Sequence, residues 1–137
     1  MNCRLEFARP TAAPDGFNHV DELLDAQQVR TLVQAEFGAE APSPQRLQAE
    51  RRVFCVVCAG EDLYPAFQWY EGHLIPGLRA VLTILTPYRS AWKILAWFST
   101  ENRQLDGSRP ADLLPFGPAA VEDAARTELR ARSLENE

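Results

Sequence analysis

The sequence predicts a mainly α-helical fold, arranged as a helical bundle with one small β-hairpin. Apolar residues recur at helical spacing in several segments that begin at capping residues. One stretch rich in valine and cysteine is followed, after a glycine, by a second β-prone stretch. The 137 residues include 46% hydrophobic and 24% charged residues, as expected of a globular chain. We therefore predict an ordered chain behind a mobile N-terminal arm over residues 1–20.

Two helices are predicted in the next part of the chain. Asp25 is a good N-cap, and Gln28 completes a capping box, so the first helix should run over 26–37. Pro44 suits the first position of a second helix, which should end near Arg51. The first strand of the hairpin follows, and we group this helix pair and strand as one region over residues 21–62.

The hairpin is predicted from two β-prone stretches at residues 53–59 and 63–69, separated by a turn at Gly60. The first stretch is apolar at successive positions. Since side chains of a strand alternate between its two faces, we expect both faces of this strand to be covered. The second stretch begins the C-terminal domain, which we predict over residues 63–137.

The C-terminal domain should begin with two helices. Pro76 and Gly77 precede an apolar stripe at positions 78, 81, 82 and 85, which predicts an amphipathic helix. Ser90 should cap a further helix over 91–98, whose residues are apolar almost all round. That pattern predicts burial on several sides.

A loop and a final helix complete the predicted domain. Asp106 and Gly107 lie at the centre of a turn-rich loop over residues 102–110. Pro118 should begin the last helix, which we expect to reach about residue 133. Two pairs at i, i+4 spacing, Glu122 with Arg126 and Glu128 with Arg132, should support it.

Charge and targeting signals restrict the class of protein. The formal net charge is −5, whereas a chain that binds nucleic acid through its overall charge would be basic. Apolar runs are far shorter than the ~20 residues of a membrane helix, and the N-terminus does not have the pattern of a signal peptide. Three cysteines, an odd number, do not suggest a secreted disulfide framework. We expect a cytoplasmic protein.

Residues with possible chemistry are few. Cys55 and Cys58 match a CxxC pattern, but no second pair exists for zinc, and both lie in a predicted strand instead of opening a helix. We interpret them as small buried residues. His19 and His73 have no supporting catalytic motif, and phosphate-binding glycine loops are absent. We therefore predict a non-enzymatic protein with no cofactor and no metal.

A DNA-binding role is the main alternative suggested by the N-terminal region. Two helices followed by a hairpin resemble a degenerate helix-turn-helix unit, with Arg46, Arg51 and Arg52 as candidate contacts. The predicted connection between the helices is longer than the usual 3–4-residue turn and contains Glu40 and a proline. A solvated basic face is the preferred interpretation.

A set of short motifs lies in order between Tyr64 and Ala125. They are Tyr64-Pro65-Ala66-Phe67-Gln68-Trp69, Gly72, Ile75-Pro76-Gly77-Leu78, Trp92, Ile94-Leu95, Ala96-Trp97-Phe98, Asn102, Leu105-Asp106-Gly107, Arg109-Pro110, Asp112-Leu113-Leu114, Val121 and Ala124-Ala125. This ordered set resembles the toxin-binding domain of the Xre/MbcA/ParS antitoxins. The resemblance lacks one feature, because the family tends to have a proline before the asparagine, where this chain has Glu101.

The resemblance implies a non-enzymatic antitoxin of a type II toxin–antitoxin pair. Family members bind a RES-domain toxin, an enzyme that destroys NAD, and block its active site, often with their C-terminal end. Many also carry an N-terminal helix-turn-helix that represses their own operon, which this chain lacks in convincing form. The candidate toxin-binding residues implied here are Tyr64, Gln68, Asn102, Asp106, Arg109, Arg126, Arg130, Glu135 and Glu137.

Two interpretations of these residues stay open at the level of sequence. Tyr64 and Gln68 suit either a contact surface or satisfied positions in a core. Glu135 and Glu137 suit either a solvated terminus or carboxylates that mimic phosphate against toxin arginines. The alternative functions are a DNA-binding regulator that uses the N-terminal helices and a stand-alone interaction module. A homo-oligomer is compatible with each of these functions.

Overall fold

A computed structural model of the protein describes residues 22–135, with side chains through residue 131. The predicted arm over 1–20 lies outside these residues. The described part contains six α-helices, a three-stranded antiparallel sheet and a two-stranded antiparallel sheet. The prediction of a mainly α fold is therefore confirmed, and a helical bundle stays a prediction.

The chain divides into two compact units, the first ending at Leu74 and the second beginning at Ile75. We predicted the C-terminal domain from residue 63, a position that lies inside a hairpin of the first unit. The division is later because the strand that contains residue 63 pairs with Leu23–Leu24 and Val56–Cys58, and the hairpin that follows it ends at Leu74.

The first unit contains two helices, as predicted. Helix α1 is Ala26–Phe37, and its N-cap Asp25 exchanges hydrogen bonds with Gln28: the Gln28 N–H donates to Oδ1 and the Asp25 N–H to Oε1, both at 2.8 Å. Helix α2 is Pro44–Ala49, shorter than expected. The capping box is confirmed.

The first unit also holds all the described strands. These are β1 (Leu23–Leu24), β2 (Val56–Cys58), β3 (Glu61–Pro65), β4 (Trp69–Tyr70) and β5 (His73–Leu74). β3 is the central strand between β1 and β2, while β4 and β5 form a separate hairpin. The sequence did not reveal β1, β4 and β5, because two residues are too few to show an alternating pattern.

The predicted β-hairpin exists, with shorter strands and a different turn. β2 and β3 are joined by Ala59 and Gly60, both with positive φ, of 55° and 82°. Two left-handed residues match the twist of the paired strands. β3 ends at Pro65, and a 3₁₀ turn follows where we had predicted a continuing strand. The expectation that both faces of β2 are covered was wrong, since Val57 is 56% exposed.

The core of the first unit forms where α1 and α2 pack on the strands. A set of buried side chains from these elements and from the connection before β2 makes one cluster: Val29, Val33, Leu47, Val53, Tyr64, Trp69 and Leu74. Burial of large apolar side chains of this kind is worth roughly 1.5–3 kcal/mol each.

The second unit contains four helices: α3 (Leu78–Leu85), α4 (Ala91–Ser99), α5 (Pro110–Leu113) and α6 (Pro118–Glu135). The predicted stripe of α3 is buried at all four positions. It packs on α6, which buries Val121, Ala124 and Ala125.

Burial of α4 differs from the prediction. Ile94, Leu95 and Phe98 are buried as expected. Trp97 is only half-buried, and Ala96 is exposed. The helix therefore has one buried face, and part of its other apolar surface borders a groove.

Candidate functional site

Tyr64 and Gln68, two of the candidate toxin-binding residues, are fully buried in the first unit. The Gln68 amide group accepts a hydrogen bond from the N–H of Phe54 at 2.8 Å and donates to the carbonyls of Phe54 and Pro65, both at 3.0 Å. Tyr64 Oη accepts from Gln48 Nε2 at 3.3 Å. Of the two interpretations left open, the structure favours satisfied core positions.

Gln68 fixes the chain where β3 stops. A 3₁₀ turn follows Pro65, and it places the Gln68 side chain against the Phe54 backbone before β2 and the Pro65 carbonyl at the end of β3. One buried amide supplies the missing donor and acceptor, and leaving such groups unpaired would cost about 1–3 kcal/mol each. A role in folding therefore explains why glutamine occupies this position of the motif.

Asn102 and Asp106 lie in a tightly closed loop of the second unit. Asn102 Oδ1 accepts from the Gln104 N–H at 2.8 Å, and the Asn102 carbonyl accepts from Gly107 N–H at 3.0 Å. Asp106 has the left-handed φ of 56° that aspartate tolerates. The predicted turn is confirmed, with Asn102 shaping it and Asp106 exposed at its tip.

The candidate arginines differ in their surroundings. Arg109 is half-buried and donates twice to Asp112, at 2.9 and 3.2 Å, across the start of α5. Arg126 is exposed on α6 and pairs with Glu122, as predicted, and with Asp123. Arg130 is also exposed on α6. Glu137 and the side chains of Arg132 and Glu135 lie outside the described residues.

A groove on the second unit was not predicted from the sequence. It has a volume of about 330 Å³ and lies beside the half-buried face of α4. We call it the α4 groove. It is lined by Leu85, Arg89, Lys93, Ile94, Ala96, Trp97, Thr100 and Glu128.

Local geometry brings the polar residues of the α4 groove together. After α3, the N–H groups of Tyr88 and Arg89 both donate to the Leu85 carbonyl, at 3.0 and 2.9 Å. Ser90 then caps α4 by accepting from the Lys93 N–H at 3.3 Å. This tight turn places Arg89 and Lys93 within one helical turn of each other.

Arg89 and Glu128 form an ion pair in the wall of the groove. The distance from the Arg89 guanidinium to the Glu128 carboxylate is 3.4 Å, and the Arg89 side chain is only 16% exposed. The predicted pair of Glu128 with Arg132 stays a prediction, because the Arg132 side chain lies outside the described residues. The contact with Arg89 joins α6 to the connection before α4, which spacing within one helix does not reveal.

Trp97 supplies the aromatic wall of the groove. Its ring meets Phe98 edge-on, with 5.1 Å between centroids. Offset or edge-on contacts of this kind add about 0.5–1.5 kcal/mol beyond burial. A Trp held by a buried Phe is a rigid surface, which favours binding because little side-chain freedom remains to be lost.

Candidate DNA-binding residues do not make an unpaired basic helix. Arg46 pairs with Glu50 at 3.0 Å, and Arg52 lies 3.8 Å from the same carboxylate and 5.5 Å over the ring of Phe37. Arg51 is exposed, but it lies beyond the end of α2 with a φ of 58°. The helix itself has six residues and contributes Arg46 alone among the three.

The two CxxC cysteines differ, because Cys58 is disulfide-bonded and Cys55 is not. Cys55 is a free thiol. Its burial, and secondarily the negative charge of Asp62, raise its pKa from 9.0 to about 11. A reactive thiol needs a lowered pKa instead. Burial also raises the pKa of Tyr64 above its ordinary value.

Two further findings concern metals and membranes. Across residues 22–135, no cluster of three or more histidine, cysteine or acidic side chains is arranged to hold a metal ion. Over the same residues, none of the helices is long and apolar enough to cross a membrane.

His73 lies 3.4 Å from the Glu36 carboxylate, which also accepts the Leu74 N–H at 2.9 Å.

Comparison of the chain with protein-family models, curated proteins and solved structures gives no match. The candidate site therefore rests on the geometry described above and on the ordered motifs.

Proposed function

We propose that the protein is the antitoxin of a type II toxin–antitoxin pair and acts in the cytoplasm. It would bind a RES-domain, NAD-consuming toxin and occlude the toxin's active site. The single observation that carries this proposal is the ordered set of motifs from Tyr64 to Ala125, which resembles the toxin-binding domain of Xre/MbcA/ParS antitoxins.

Several residues of the motif set have clear roles in folding. This supports the interpretation that the ordered motifs mark one kind of domain. Gln68 satisfies backbone groups of Phe54, before β2, and of Pro65, at the end of β3. Asn102 and Gly107 close the loop before α5. A Cβ on Gly77 would lie 2.4 Å from the Cβ of Pro118, so the approach of these two segments requires glycine. Such positions maintain a fold, and binding would then belong to the surface between them.

The surface of the second unit has features that suit a protein partner. Tyr88 and Phe116 are 68% and 69% exposed. Exposed aromatic residues often anchor protein–protein contacts, because they bury a large area on binding. The α4 groove adds a concave apolar site near charged residues.

Co-expression of the chain with a RES-domain protein encoded beside it tests the proposal. We expect the two proteins to co-purify, cellular NAD to be preserved and growth to continue. A catalytically inactive form of the toxin should co-purify equally well, since binding does not require NAD turnover. Loss of NAD and growth arrest despite full expression of both proteins would overturn the proposal.

A further inference from the structure

The α4 groove combines an apolar interior with a cation at its rim. Ile94 is buried, Ala96 is exposed and Trp97 is half-buried, so the wall formed by α4 is apolar. Lys93 is exposed, and within the described part of the chain its ammonium group has no hydrogen-bond or ion-pair partner. An anionic group that approaches this edge would meet a solvent-accessible positive charge.

The other two charges of the groove already compensate each other. Arg89 and Glu128 are paired at 3.4 Å, and both side chains are at least partly buried. Lys93 is therefore the excess charge of the groove, which is positive although the chain as a whole carries a net charge of −5. This local sign favours an acidic ligand.

The size of the groove indicates what it can hold. A volume of about 330 Å³ is at the lower end of the range of roughly 300–1,000 Å³ for ligand pockets. It suits one anchoring apolar side chain of a protein segment. Buried anchors that fill pockets of this kind contribute most of the affinity at many interfaces.

We propose that the α4 groove docks a segment of the toxin that carries an apolar side chain next to an aspartate or glutamate. The apolar side chain would pack on Trp97 and Ile94, and the carboxylate would pair with Lys93. This inference rests on the proposed function and deepens it. It adds a contact that holds the toxin and does not itself require entry into the toxin's active site.

Two variants of the full-length chain test the groove. Ala96→Arg fills it from an exposed helix position, and Lys93→Glu reverses the charge at its rim. Thr83→Arg and Arg79→Glu are matched controls, because they make the same types of change at exposed positions of α3 that do not line the groove. Circular dichroism and thermal unfolding would verify that all four variants fold.

Binding to the purified RES-domain toxin would be measured by calorimetry at two salt concentrations. We expect both groove variants to bind at least about tenfold more weakly than wild type, because they remove an anchor pocket or a complementary charge. Both controls should stay within about twofold. Lys93→Glu should also lessen the salt dependence of binding, since an attractive charge is lost.

The outcomes separate the two proposals. If wild type does not bind the toxin, the proposed function is wrong. If wild type binds and both groove variants bind like their controls, the docking inference is wrong while the proposed function stands. Should Ala96→Arg fail to fold, Lys93→Glu decides by itself, because an exposed charge reversal leaves the apolar interior intact.

Discussion

At the scale of single residues, Gly77 shows how a motif residue is explained by packing. It precedes α3, and a Cβ placed on it would lie 2.4 Å from the Cβ of Pro118. The Pro118 ring is rigid, so one of the two segments would have to move. Gly77 has a φ of −69°, which alanine also adopts readily. The steric approach, and not backbone freedom, therefore requires glycine.

Replacing Gly77 by alanine should destabilise the protein by roughly 1–3 kcal/mol through overpacking. Gly117→Ala is a matched control, since its added Cβ would meet Leu113 at an ordinary 3.5 Å. Urea unfolding would compare the two variants with wild type. Equal unfolding midpoints for Gly77→Ala and Gly117→Ala would contradict the proposed close approach.

The Cys55 thiol allows a prediction about pH. Its pKa is raised from 9.0 to about 11, mainly by burial. The folded state thus holds the thiol proton more tightly than the unfolded state does. The stability that this group contributes is complete below pH 9.0 and is lost as pH rises toward about 11.

Alkylation of Cys55 by iodoacetamide should therefore be slow. At pH 8 we expect its rate to be at least about a hundredfold below that of a small-molecule thiol, because the thiolate is the reacting species. The rate should still be rising with pH above 9. Fragment-ion mass spectrometry measures the label on Cys55 separately from Cys58, which lies in the same peptide. Fast labelling that levels off below pH 8 would show a reactive thiol.

At the scale of elements, the first residues of helices were the most predictable feature. Asp25, Ser43 and Ser90 each accept the backbone N–H three residues later, as their positions in the sequence indicated. Capping depends on residues a few positions apart along the chain, so it can be predicted from a short segment of sequence. The exposed face of α4 was mispredicted because apolar residues also border grooves, and hydrophobic pattern alone does not separate a groove from a core.

The capping box of α1 gives a prediction at this scale. Asp25→Ala should cost about 1 kcal/mol, since the Gln28 N–H loses its acceptor at the start of α1. Asp25→Asn keeps a capping oxygen and should stay close to wild type. Urea unfolding at pH 7 measures both. A loss as large for asparagine as for alanine would mean that the negative charge, and not the cap, supplies the stability.

At the scale of the whole molecule, the mainly α composition and the order of the longer helices followed from the sequence, whereas the four-residue α5 was not predicted. The boundary between units did not, because β4 and β5 are too short to predict and they extend the first unit to Leu74. Whether Tyr64 and Gln68 are buried could be decided only from the tertiary structure, because the polar ends of these side chains suit both a surface and a core with hydrogen-bond partners. The α4 groove depends on α3, α4 and α6 together, and long-range contacts such as Arg89 with Glu128 leave no local signal.

The proposed inhibition of a RES-domain toxin by direct binding can be measured with purified proteins. The most direct measurement is NAD consumption by a purified toxin as the purified full-length chain is titrated into it. We predict that activity falls to background at a fixed molar ratio of the two proteins, with a complex that persists in size-exclusion chromatography. Undiminished NAD consumption at a large excess of the folded chain would contradict the claim.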